Sequence, residues 1–178
     1  RQQHQGVEPV GQRAGELGLH VIVDLHQDIY GRTFGGSGAP DWTVAARDWQ
    51  DPPAHHGGWF FRYMTSPGVR RSLDRFWQDD DGIQGHFIEA MAAVARRLAG
   101  HPEVIGWEPY NEPFPGNLDM GAFEERHLAP FYDRCVEAVR RHAPGWLLFF
   151  EGTLMTSEHR LELDPGRYGD AVYFPHFY

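Results

Sequence analysis

Asn111 and Glu112 stand side by side between Pro109 and Pro113, within Val-Ile-Gly-Trp-Glu-Pro-Tyr-Asn-Glu-Pro-Phe-Pro over residues 104–115. The two prolines fix φ on either side of the pair and remove two backbone donors, so this is a rigid turn and not an ordinary strand end. A protonated Glu can give its proton to the leaving oxygen of a glycosidic bond while a neighbouring amide holds the sugar's 2-hydroxyl. Glu112 and Asn111 have the types and spacing for those two roles. Asn and Pro also punctuate unremarkable loops, so the pair needs support from the rest of the chain.

Other polar groups stand where short apolar runs end. His26, Gln27 and Asp28 follow Leu-His-Val-Ile-Val-Asp (19–24), Glu151 follows Trp146 to Phe150, and His176 and Tyr178 follow Ala171 to Phe174. A His-x-Asp pair puts two side chains on one side of an extended segment, which suits sugar binding and could also hold a metal. No second His or carboxylate stands at matched spacing to complete a metal set. Trp42, Trp49, Trp59, Phe60 and Phe61 could stack on sugar rings, close around a lipid, or form a small satellite core. Gly35-Gly36-Ser37-Gly38 lacks the Lys and Ser/Thr of a phosphate loop and reads as a flexible turn. Asp79-Asp80-Asp81 lacks the alternation of a calcium loop and reads as a solvated helix start.

The elements that must carry these groups alternate. Val7 to Leu17 reads as a helix closed by Gly18, and Leu19 to Asp24 as a buried strand. Arg32 to about Asp81 reads as a long irregular section, of the kind that forms lids or binding walls. Gln84 to Ala99 is a helix by the recurrence of Phe87, Met91, Val94 and Leu98. The strand from Val104 comes next. A second helix carries Leu128, Phe131, Cys135 and Val139, with Pro130 at a kink or a first turn. Trp146 to Phe150 is a strand, Thr153 to Gly169 a loop with a short helix possible over Thr156 to Leu163, and Ala171 to Phe174 a last strand.

That alternation predicts an α/β fold with about four parallel strands and crossover helices, a partial (β/α)8 TIM barrel whose polar residues gather on one rim. Four strands alone leave two long edges open, so further strands are expected on both sides.

Composition narrows the function. The 178 residues suit a single domain, and a net charge of −9 disfavours phosphate backbones and anionic lipid surfaces as partners. The 16 basic residues are all Arg, which removes Schiff-base, P-loop and Ser-Lys chemistry. Cys135 is the one cysteine and lies on an apolar helical stripe, so neither an internal disulfide nor a thiolate metal cluster is available. No apolar run is long enough for stable membrane insertion. The chain opens at Arg1 in mid-pattern and closes at Tyr178 in an apolar stretch, as expected of a fragment, so the lack of a leader is silent on export.

Taken together, these residues give the chain a resemblance to the endoglycoceramidase branch of glycoside hydrolase family 5. The resemblance is carried by Asp24-Leu25-His26-Gln27-Asp28-Ile29-Tyr30 with Gly38-Ala39-Pro40-Asp41-Trp42, by Asn111-Glu112-Pro113, and by Pro175-His176-Phe177-Tyr178. It implies that Glu112 is the general acid/base and that Asn111 binds the 2-hydroxyl. It also implies that His26, Asp28, Trp42, His176 and Tyr178 contact the substrate, a glycolipid or oligosaccharide, without metal or cofactor. The family retains configuration through a glycosyl-enzyme, with its two carboxyl groups about 5 Å apart. Its nucleophile is a Glu closing the seventh strand. This chain ends at what resembles the sixth, so residues 1–178 are expected to be the middle of one catalytic domain, strands three to six, and inactive alone. The intact protein is expected to be secreted. Three other readings stay open: a cellulase-like β-glucan hydrolase, a non-catalytic carbohydrate-binding relative, and a metal-dependent barrel hydrolase using His26 and Asp28.

Overall fold

The computed structural model describes residues 7–49, 61–154 and 163–176. In chain order, α1 (Val7–Glu16) leads to β1 (Val21–Asp24), and α2 (Arg62–Thr65), α3 (Pro67–Trp77) and α4 (Ile83–Leu98) lead to β2 (Val104–Glu108). Then α5 (Met120–Phe123) and α6 (Ala129–Arg140) lead to β3 (Leu147–Phe150), and β4 (Ala171–Tyr173) closes the sheet. The strands lie side by side in the order β1-β2-β3-β4, and every neighbouring pair is parallel. All four therefore end on one rim, and the polar residues that follow them share it.

The two central strands are almost wholly buried and the two outer ones are not. Parallel strands need covering on both faces, which is why β2 and β3 carry continuous apolar runs. The crossover helices α4 and α6 pack against one another. Between them lies an aromatic cluster in which Phe76, Trp77, Phe87, Tyr110 and Phe131 meet at tilted and edge-on angles. Trp77 also donates its indole N–H to the Phe114 carbonyl at 2.8 Å, which ties the turn carrying Glu112 to the core.

Two expectations need correction. The section from Arg32 to Asp81 is not irregular throughout, because it contains α2 and α3. Ser66 caps α3 by accepting the Val69 N–H at 3.2 Å, Pro67 occupies the first turn, and Val69, Leu73, Phe76 and Trp77 are buried. Nor is Gly35-Gly36-Ser37-Gly38 a flexible turn. Ser37 and Asp28 exchange backbone hydrogen bonds at 2.9 and 3.0 Å, which clamps this loop onto the rim beyond β1.

Pro130 does mark a helix irregularity. A π-helical turn, Glu124–Leu128, separates α5 from α6. The proline has no N–H to return to the preceding turn and its ring crowds the carbonyl there, so the backbone widens by one residue before α6 begins. Cys135 is fully buried in α6, and burial pushes its thiol well above the usual range. The short helix considered over Thr156 to Leu163 falls largely outside the described residues.

Candidate active site

Glu112 sits immediately beyond the end of β2, is 1 % exposed, and has a left-handed backbone with φ 50°. A non-glycine residue in that region costs about 1 kcal/mol or more and persists where the surroundings over-determine it. Three contacts do so here. Pro113 follows it, the Glu112 N–H is donated to Glu151 Oε1 at 3.3 Å, and Gln27 holds the carbonyl of Asn111 at 2.8 Å. The carboxyl group itself meets His176, whose Nδ1 lies 2.8 Å from Glu112 Oε1. The turn after β2 and the turn after β4 thus converge on one side chain.

Asn111 is equally buried. Its amide donates to the Gln27 carbonyl at 2.9 Å, so one of its two N–H groups is already used and only the other could reach a sugar hydroxyl. Its Oδ1 has no partner among the described residues.

His26 and Asp28 lie on the same rim, beyond β1. The ring of His26 is held between two carboxylates, with Nδ1 2.8 Å from Asp24 and Nε2 3.1 Å from Asp28. Partial burial disfavours charge on this ring, but the bonds to Asp24 and Asp28 outweigh it and raise the pKa. With both ring nitrogens engaged by carboxylates, the pair is a charged polar surface in this conformation and not an open ligand set.

Trp42 is 58 % exposed and lies edge-on to His86 at 5.4 Å. Trp49 and Phe61 are similarly open, so these aromatics do not form a satellite core. Trp59, Phe60 and Tyr178 lie outside the described residues. A mainly apolar cavity of about 430 Å³ opens against His26 and Trp42 and is walled by Leu25, Pro40, Phe87 and Tyr110.

Three further residues contribute; the sequence places Gln27 and Glu151 at strand ends without a role, and does not single out Glu108. The Gln27 amide also reaches the Tyr63 hydroxyl at 3.0 Å, and its Oε1 accepts the Tyr30 N–H at 2.9 Å. Nothing in its residue type marks it as a strut. The other two are Glu108 and Glu151, both 4 % exposed. Burial, and then a hydrogen bond and charge repulsion from Glu108, push Glu151 far above the usual carboxylate range. Burial also raises Glu108. Two carboxyl groups close together in a dry interior resist ionising together, which favours the protonated form of one of them. Glu108, Glu151 and His176 each bring one donor atom to within 4.8 Å of the others. Buried acidic groups can cluster in this way without an ion, and we assign none there.

A buried carboxyl group beyond central strand β2 is thus met by a histidine from the end of β4, two strands along. The sequence model described as cellulase, glycosyl hydrolase family 5, matches residues 1–178. The chain belongs to glycosyl hydrolase family 5. It is 33% identical over 124 residues to endoglycoceramidase I of Rhodococcus hoagii (strain 103S), a match covering 68% of this chain and 24% of that protein. Against the endoglycoceramidase of Cyanea nozakii it is 26% identical over 174 residues, covering 82% and 34%. The lactosyl-enzyme intermediate of endo-glycoceramidase II from Rhodococcus sp. superposes with a TM-score of 0.82 at 29% identity, over 97% of this chain and 43% of that one. The ganglioside GM3 complex of that enzyme gives 0.81 at 29%, over 99% and 44%. The chain therefore spans less than half the length of these family 5 relatives, and its four parallel strands are part of a (β/α)8 barrel.

Proposed function

We propose that the full-length protein carrying this chain is a retaining β-glycosidase that cleaves between the glycan and the ceramide of glycosphingolipids, with Glu112 as general acid/base. The observation that carries this reading is the convergence of two strand ends on Glu112, a buried carboxyl group on a strained turn with His176 at 2.8 Å. The similarity to endoglycoceramidases supports the branch. On the same reading residues 1–178 are the middle of one catalytic domain, and the nucleophile is a Glu outside them. Glu151 does not fill that role, because it closes β3 and not the strand that carries the nucleophile in the family.

In the first step Glu112 gives its proton to the glycosidic oxygen as the bond to the anomeric carbon breaks and the nucleophile closes on that carbon. In the second it takes a proton from water, whose oxygen displaces the enzyme carboxylate. Asn111 offers its remaining N–H to the 2-hydroxyl. Asp24 and Asp28, held by the ring of His26 between them, present acceptors to sugar hydroxyls, and exposed Trp42 offers a face to stack on. The apolar cavity beside them favours a substrate with a lipid part over a soluble glucan.

The test is hydrolysis by the full-length protein of glucosylceramide and lactosylceramide against soluble β-glucan, with Glu112→Gln alongside. Release of intact glycan from the lipids, slowed by roughly 10²-fold or more in the variant with binding retained, is expected. Unchanged turnover in Glu112→Gln would remove the assignment, and activity on glucan alone would remove the substrate class.

A further inference from the structure

Every backbone carbonyl from Asn111 to Phe114 is held. The Gln27 amide donates to the first two at 2.8 and 3.4 Å, and the Trp77 indole donates to that of Phe114 at 2.8 Å. The remaining one, on Pro113, accepts the backbone N–H of Leu154 at 2.8 Å, from the turn after β3. Pro113 directly follows Glu112, so the setting of the β3 turn reaches the acid through a single residue.

Beyond Phe150 the chain leaves the sheet, and side chains from the α5–α6 segment hold it instead. Tyr132 donates its hydroxyl to the Glu151 carbonyl at 3.0 Å. Two residues on, the Thr153 N–H is donated to Glu124 Oε1 at 2.8 Å. Glu124 is 5 % exposed and opens the π-helical turn between α5 and α6. Phe123 before it and Leu128 one turn on are fully buried, and Phe123 meets Trp77 edge-on at 4.9 Å. A carboxyl group on so apolar a face is costly to desolvate, and a leucine would suit the packing there. What leucine could not do is accept a buried N–H, and leaving such a group without its acceptor is costly too.

We propose that Glu124 is a positioning residue for the general acid: by accepting the Thr153 N–H it sets the β3 turn, and Leu154 passes that setting to Glu112 through the Pro113 carbonyl. This rests on the reading of Glu112 as the acid. Glu124 acts through the turn and not on the substrate, so what it supplies is the placement of a proton donor. A donor moved slightly from the glycosidic oxygen loses most where the leaving group most needs the proton. The alkoxide of a ceramide is a poor leaving group and depends on that proton, whereas a dinitrophenolate departs with little help. A residue serving stability alone would treat the two substrates alike.

The experiment compares kcat/KM of the full-length protein on lactosylceramide and on dinitrophenyl β-lactoside, in the wild type, Glu124→Leu, Glu124→Gln and Glu112→Gln. Glu124→Leu should lose about tenfold or more on the lipid and less than about threefold on the activated lactoside. Glu124→Gln keeps an acceptor oxygen at the same reach and should stay within about threefold of the wild type on both. Equal losses on the two substrates, a Leu variant with wild-type activity on the lipid, or a Gln variant as impaired as the Leu variant would each overturn the proposal. If Glu124→Leu does not fold, Glu124→Asp, one methylene short of the Thr153 N–H, takes its place with the same expectation. Glu112→Gln keeps the two claims apart. Unchanged lipid turnover there removes the acid assignment, whereas a leaving-group dependence seen in Glu112→Gln and not in Glu124→Leu removes the role of Glu124 alone.

Discussion

Gln27 and Asn111 exchange hydrogen bonds across 84 residues of chain: the Gln27 amide donates to the Asn111 carbonyl at 2.8 Å, and the Asn111 amide donates to the Gln27 carbonyl at 2.9 Å. The rim beyond β1 is thereby bolted to the turn that carries Glu112. Gln27→Ala strips partners from the Asn111 carbonyl, the Tyr30 N–H and the Tyr63 hydroxyl, all of them buried. Chemical denaturation should show a loss of about 3 kcal/mol, the cost of burying such groups unpaired. Because the turn loses its brace while Glu112 remains, kcat of the full-length protein should fall by about tenfold or more, with a smaller change in KM. A variant with wild-type kcat would show that the turn holds itself.

The loop clamped onto this rim depends on close backbone approach. A Cβ built on Gly36 would lie 1.8 Å from the Asp28 carbonyl oxygen, and one on Gly38, where φ is +115°, would lie 2.7 Å from Gln27 Cβ. Neither obstacle is the loose end of a side chain. Gly36→Ala should therefore destabilise by about 3 kcal/mol and weaken substrate binding through displacement of Asp28. Gly85→Ala is the control, since a Cβ there meets nothing within 4 Å. It replaces a glycine inside α4 and should stabilise by about 0.5–1 kcal/mol. Thermal unfolding of the two variants should move in opposite directions.

How far the chain could be read follows from the range of the interactions. The strands were legible because buried parallel strands need continuous apolar runs, and Glu112 was legible because two prolines advertise a rigid turn. α3 was legible in principle, since Ser66 and Pro67 mark its start and Val69, Leu73 and Phe76 recur at helical spacing, but it lies in a stretch whose Gly, Pro and Trp content reads as irregular throughout. The strut made by Gln27 and the approach of Glu108 to Glu151 were not legible. Each joins strand ends far apart in sequence, and their residue types are ordinary for solvated positions. Exposed Trp42 and Trp49 could have been core or surface, since type alone does not say which side of a loop faces out.

His26 offers a direct check on the rim. Partial burial pulls its pKa down, and the bonds to Asp24 and Asp28 raise it further than burial lowers it. The sign follows: a raised folded pKa contributes stability that is fully present below the unfolded value, near ~6.5, and is lost as pH rises through the folded value. NMR titration should place His26 above an unstructured histidine, and Asp24→Asn should bring it down. Because the ring is nearly half exposed, added salt should weaken the effect. A His26 that titrates at or below the unstructured value would mean that the bonds to the two aspartates do not persist in solution.

Glu151 gives the opposite trend from most buried acids that stabilise a fold. Burial first, and then contact with Glu108, raises its pKa in the folded state, so the folded protein binds a proton that the unfolded chain releases above about pH 4.3. The stabilising contribution is fully present below that pH and declines as pH rises through neutrality toward the raised folded value. Glu151→Gln keeps the shape and the uncharged state but has no proton to lose. It should flatten the fall in stability between pH 5 and 8 and raise Tm at pH 8 by roughly 3 °C or more, about what 1 kcal/mol is worth in a domain of this size. Differential scanning calorimetry of the two proteins across that range reads the difference. Parallel curves would mean that Glu151 is ionised in the folded state, and that a cation from another part of the full-length protein reaches the pair.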